Sequence, residues 1–126
     1  MINTGSRPKQ GENVWLWLLK ILTGVLVFTL LIVHLVVNHF IAKEGLMSYS
    51  DVVAYLSNPW ISLMEISFLT IVVSHSLFGT RSIILDFKPT EGLMRVLNWI
   101  FVLLGFSAIV YGIWLTRVII SKGAGG

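Results

Sequence analysis

The chain has no cysteine, few charges and no basic patch. Without thiols it forms no disulfide, no thiolate metal site and no iron–sulfur ligation, which leaves histidine as its strong nitrogen ligand. Charged residues make up 12% and apolar ones 56% of 126 positions, with a mean hydropathy of +0.86. That balance excludes a soluble domain of this size and reads as a membrane protein. The formal charge of +3 and pI near 9.5 come from lysines and arginines scattered over the ends of apolar runs, so nucleic acid is not a partner. No internal repeat or low-complexity segment is present. The first apolar run is too long for a signal peptide and lacks a small-residue cleavage site after it, so it is expected to be retained.

What is present is apolar length. Three runs, at about 14–42, 59–85 and 94–120, each exceed the roughly 20 helical residues that cross a hydrocarbon core. The expected fold is an all-α membrane protein, residues 1–126 forming a single transmembrane anchor domain with three spanning helices. Trp15, Trp17, Trp60, Trp99 and Trp114 fall near the span ends, where indole suits the headgroup level. The segment from Lys43 to Asn58 reads as a connection, with Pro59 placed to open the second helix. The second connection, around Asp86, Lys88-Pro89 and Glu91-Gly92, is short and makes helices two and three antiparallel neighbours. The polar head, residues 1–13, and the tail from Lys122 to Gly126 are expected to be mobile.

Basic residues set the topology. Arg7, Lys9, Lys20, Arg81, Lys88 and Arg95 lie on one side, against Lys43, Arg117 and Lys122 on the other. The N-terminus and second loop are therefore expected in the cytoplasm and the C-terminus outside.

Two histidines lie within the spans, where imidazole needs a partner that justifies its desolvation. His34 is about 9 Å from the outer end of helix one and His75 about 24 Å from the same surface, a difference of about 15 Å. One haem cannot be gripped by both. If both are axial ligands, each serves a different haem, and the opposite ligands come from another polypeptide. Either histidine alone could equally be a hydrogen-bond partner of a neighbouring helix. His39, about 140° from His34 on the helical wheel, reads as interfacial.

Gly79 and Asp86 fall within about 40° of His75 on the wheel, as do Phe68 and Ser82. A glycine one turn from a ligand leaves room for a flat macrocycle. Arg81 points elsewhere but has the reach to meet a haem propionate or a partner's carboxylate; as a positive-inside anchor it would need neither. On helix one, Lys20 and Thr23 share the face of His34 and mark a groove for a quinone headgroup or propionates. Glu65, about 9 Å into helix two, is costly as an ion. It is protonated, paired with a basic residue of a partner, or a proton-transfer group.

The run His75-x3-Gly79-x-Arg81-x4-Asp86 resembles the second-helix motif of the membrane-anchor cytochrome b subunits of succinate dehydrogenase and fumarate reductase. Trp17-x2-Lys20-x2-Thr23-Gly24-Val25 looks like that family's Arg-x-x-Ser/Thr-Gly opening. His34-Leu35-x2-Asn38-His39-Phe40 is similar to the first-helix histidine segment of the two-haem, two-subunit type.

The resemblance implies a D-type anchor that forms half of a haem-binding bundle with a second cytochrome b anchor subunit. It also implies docking of a flavoprotein subunit and an iron–sulfur subunit on the cytoplasmic face of a prokaryotic plasma membrane. Carried over, His75 and His34 would ligate the iron of one or two shared b haems, with Gly79 and Arg81 beside the macrocycle. Asp86 would belong to a quinone site with Lys20 and Thr23. Phe87 stands where ubiquinone-reducing relatives commonly carry tyrosine, and Lys20 where arginine is usual. Phe87 cannot donate a hydrogen bond, which argues against that ubiquinone-site pattern and for a second pocket near the outer haem in which Glu65 or His39 handles protons; two haems spanning the membrane slightly favour menaquinone. The rival expectations are an anchor of a quinol:fumarate reductase and a cofactor-free structural or assembly protein with three helices.

Overall fold

The structure, a computed structural model, describes residues 13–41 and 46–124. Four helices follow one another: α1 (Val14–Ile41), α2 (Tyr49–Ser57), α3 (Pro59–Leu85) and α4 (Glu91–Ala124). Three of them, α1, α3 and α4, are long and apolar enough to cross a membrane. The expected all-α membrane fold with three spans is the fold observed.

Each helix begins where a side chain can satisfy its free N–H groups. Asn13 Oδ1 accepts from Trp15 N at 3.0 Å ahead of α1. Asn58 closes α2 and opens α3, its side chain accepting from Trp60 N while Pro59 occupies the first turn. Thr90 accepts from Leu93 N through its hydroxyl and from Met94 N through its carbonyl, so α4 starts at Glu91 rather than near 94. Between α3 and α4 the chain turns through Lys88, which takes a φ of 50° just before Pro89.

The segment expected to be a plain connection contains α2. A reciprocal capping box starts it: Ser48 Oγ accepts from Asp51 N and Asp51 accepts from Ser48 N. The Ser48 contacts hold the Asp51 carboxyl below its usual range. A second difference lies at the C-terminus. The tail expected to be mobile continues α4 as far as Ala124: Gly123 lies against Val53 of α2, with no room for a Cβ, and this contact offsets the low helix propensity of glycine. The rest of that tail, the head at 1–12 and the loop at 42–45 lie outside the described residues.

α3 is the central helix, packed on α1 along one side and on α4 along another, while α2 lies across α3 and α4. Among the described residues Tyr55 is the one large apolar side chain that is buried, whereas Trp15, Phe28 and Phe106 stand 67–73% exposed. Such a surface is stable against lipid or partner helices. In that setting helices gain little from apolar burial against each other, so small residues and hydrogen bonds fix their packing.

Candidate functional site

α1 and α3 are clipped together by two polar clusters. Their pairings run antiparallel: His34 with Glu65 towards one end, Thr23 with His75 and Lys20 with Ser82 towards the other. Eleven residues of α1 and ten of α3 separate the clusters, which at the helical rise is about 15 Å.

In the first cluster, the His75 ring is turned into α1. Its Nδ1 lies 3.2 Å from the carbonyl of Lys20 and 3.1 Å from Thr23 Oγ1. The Thr23 hydroxyl donates to Leu19 O at 2.7 Å, so its oxygen is left to accept. Both partners of Nδ1 are then acceptors, which assigns the proton to Nδ1 and the lone pair to Nε2. Gly24 permits this seating: a Cβ there would stand 3.1 Å from His75 Cε1. Thr23, at 8% exposure, is covered by α3 and lines no open groove. The groove expected on the Lys20 and Thr23 face is filled by α3, because that polar stripe is what α3 hydrogen-bonds. At Gly79 a Cβ would meet nothing within 4 Å, so the surface one turn beyond His75 is open in this chain.

Substituting Gly24 tests this seating. Gly24→Val drives branched methyls into the imidazole and should lower the stability of the purified protein by about 1–3 kcal/mol. Thermal denaturation in detergent, with Gly24→Ala expected to fall between, measures it; an unchanged midpoint for the valine variant would contradict the close approach.

The second cluster joins three elements. His34 Nδ1 lies 2.9 and 3.0 Å from the two oxygens of Glu65. Tyr55, carried by α2, donates its hydroxyl to Glu65 Oε1. Asn38 Nδ2 donates to the His34 carbonyl at 2.8 Å and to Tyr55 Oη at 3.2 Å. The His34 ring also stacks on Phe68, with centroids 5.0 Å apart. Burial, and then the hydrogen bond to Glu65, hold the Tyr55 phenol well above its ordinary range, so Tyr55 remains a donor. A carboxylate that accepts from the phenol takes the imidazole Nδ1 as its second donor, and Asn38 Nδ2 lies 3.3 Å from Nδ1 and 3.5 Å from Nε2 of the same ring. Glu65 therefore finds partners within its own chain, rather than waiting for a basic residue of another subunit.

The remaining candidates sit apart. Lys20 Nζ donates to Ser82 Oγ at 3.0 Å, and Asp86 caps α3 one turn further on. Arg81 turns to the opposite side of α3, where its Nε donates to Asn98 Oδ1 on α4 at 2.9 Å; the structure does not bring it to His75. His39 is exposed. No cluster of three or more histidine, aspartate or glutamate residues that could hold a metal ion occurs among the described residues.

A family model described as succinate dehydrogenase/fumarate reductase transmembrane subunit matches residues 5–116. The chain belongs to that family. It is a membrane anchor subunit of succinate dehydrogenase, with the multi-pass topology such an anchor needs. It is 31% identical over 106 residues to the succinate dehydrogenase 2 membrane subunit SdhC of Mycobacterium tuberculosis, covering 79% of this chain and 76% of that one. That relative carries a C-type label where the sequence resemblance implied a D-type one. Similarity extends to succinate dehydrogenase hydrophobic membrane anchor subunits of two archaea. For Archaeoglobus fulgidus the identity is 29%, over 79% of this anchor and 84% of the relative. For Thermoplasma acidophilum it is 27%, over 77% and 79%. No solved structure gives a significant match.

Sequence reasoning missed Tyr55, Ser82's pairing with Lys20, and Asn98. Tyr55 was legible in principle: the Ser48-x-x-Asp51 box announces a helix, and that helix carries the phenol to Glu65. The partners of Lys20 and Arg81 depend on which faces of α1, α3 and α4 meet, which no local pattern gives.

Proposed function

We propose that this anchor supplies histidines that would hold two b haems, and part of a quinone site. Electrons from the iron–sulfur subunit would thereby reach quinone within a prokaryotic plasma membrane. The observation that carries this reading is the matching set of His75 and His34. Each turns its Nδ1 to an oxygen acceptor inside the bundle, the arrangement of an imidazole whose Nε2 ligates iron while its other nitrogen is held by a carbonyl or carboxylate; at His34 the Asn38 amide beside Nε2 would turn aside on ligation. The separation of about 15 Å supports a different haem for each histidine. Each haem, when bound, supplies one-electron transfer at its own depth.

This chain's residues then have distinct tasks. Lys20 O and Thr23 orient His75, and Glu65 orients His34, its negative charge strengthening the imidazole as a donor. The open surface at Gly79 gives a macrocycle on His75 room beside α3. A flavoprotein subunit, an iron–sulfur subunit and a second anchor complete the assembly, the last providing the opposite ligands. The topology proposed is N-terminus inside and C-terminus outside, which puts His75 and Asp86 towards the cytoplasm.

A haem determination by pyridine haemochrome, set against covalent or extracted flavin, tests the reading on the purified complex. Two b haems per flavin are expected. One would restrict ligation to His75, and none would make both histidines structural.

The quinone site in this reading lies at the inner end of the bundle, beside Asp86 where α3 closes. Asp86→Asn is expected to slow quinone reduction by about tenfold or more, the contribution of a positioned proton-handling group, while succinate oxidation by an artificial acceptor is retained. Equal loss of both activities would instead assign Asp86 to docking of the iron–sulfur subunit.

A further inference from the structure

Beside the face of α3 that carries His75, a groove of about 470 Å³ runs between α3 and α4, with Leu16 of α1 at its edge. Its polar end is made by Arg81 and Asn98, with Ser74 further along α3; its other walls include Phe78, Phe101, Phe106 and Ile109. Arg81 holds Asn98 through Nε alone. Among the described residues nothing accepts from its Nη groups or from Asn98 Nδ2, so three nitrogens that can only donate border the groove.

Depth gives the groove a direction. Arg81 lies about 6 Å from the end of α3 and Asn98 about 10 Å from the start of α4, close to one membrane boundary. From Asn98 to Ile109 the apolar wall extends about 16 Å further, and one leaflet of hydrocarbon is about 15 Å deep. A cationic mouth at the boundary and an apolar channel one leaflet long fit a lipid lying parallel to its neighbours. The lining also sorts among amphiphiles. It contains no histidine, so it offers haem no axial ligand, and no carboxylate or tyrosine to deliver the protons that quinone reduction consumes.

We propose that the groove between α3 and α4 is a binding site for one anionic phospholipid, its phosphate on Arg81 and Asn98 and an acyl chain along Phe101, Phe106 and Ile109. Under the proposed topology this is the cytoplasmic leaflet, whose anionic lipids are drawn to basic pockets between transmembrane helices. The site is independent of the haem assignments.

The test is quantitative lipid mass spectrometry on the intact complex purified in detergent, then exchanged against micelles doped with phosphatidylglycerol or phosphatidylcholine. The unmodified complex should retain phosphatidylglycerol in preference to phosphatidylcholine, and millimolar inorganic phosphate should not displace it. Arg81→Gln should lower retention of one anionic lipid per chain about tenfold, as loss of one charge-assisted contact predicts, with Arg81→Lys partly restoring it. Val102→Trp, which fills the groove while leaving Arg81 and Asn98 intact, should also expel the lipid. Unchanged lipid content in both variants, equal retention of the two lipids, or loss of quinone in place of phospholipid would overturn the proposal. Loss in Val102→Trp without loss in Arg81→Gln would overturn the headgroup assignment.

Discussion

His75→Ala is expected to yield a complex with one b haem per flavin instead of two. The variant removes the imidazole of the inner cluster and its contacts with the Lys20 carbonyl and Thr23 Oγ1, both of which keep another partner. The void left against Gly24 loosens the seam between α1 and α3, so a lower yield of assembled complex should accompany the haem loss. The two effects separate experimentally. His75→Gln can still donate to the Lys20 carbonyl but is a poor iron ligand; it should recover assembly without recovering haem. Two haems retained in either variant would remove His75 from the ligand set.

The second large effect belongs to Glu65. Glu65→Gln keeps the side chain's length and one acceptor oxygen for His34 Nδ1, but deletes the negative charge and puts an amide NH2 where an oxygen now stands. One of His34 or Tyr55 then faces a donor with its own donor. Groups that hold a metal-ligating histidine typically matter by about 10–100-fold in metal affinity, and the outer haem should be depleted accordingly while the inner one stays. Any outer haem that remains should have a higher midpoint potential, because a less basic imidazole stabilises the ferric iron less. Redox titration followed by optical spectroscopy reads both consequences. A Glu65→Gln complex with unaltered haem content and unaltered potentials would make the cluster a helix clip alone. Tyr55→Phe offers a finer cut: it removes one donor to Glu65 without touching the imidazole, and should change the potential more than the haem content.

Much of this was legible in the sequence. Apolar run length gave the three spans, because the bilayer imposes a minimum helical length whatever the side chains. Histidine positions along the helices gave the separation between the clusters, because the rise per residue is fixed. The start of α4 and the presence of α2 were written in Thr90 and in Ser48-x-x-Asp51, short capping signals that a reading dominated by hydropathy passes over. What the helical wheel could not supply was the partner of each polar face. It put Thr23 and His34 on one stripe of α1 and His75 on a stripe of α3, yet left that first stripe facing an empty groove. Only the antiparallel docking of the two helices shows the stripes meeting. Arg81 illustrates the same limit from the other side: its angle from His75 was plain, but its engagement with Asn98 depends on where α4 lies.

The two clips between α1 and α3 act as a ruler. A slip of one residue along either helix would shift every partner by about 1.5 Å and rotate it by about 100°, breaking both clusters at once, so the vertical offset of the two imidazoles is set by the polypeptide before any cofactor arrives. If both imidazoles hold haem as proposed, neither haem would need the other as a template, and the two positions would be filled in either order.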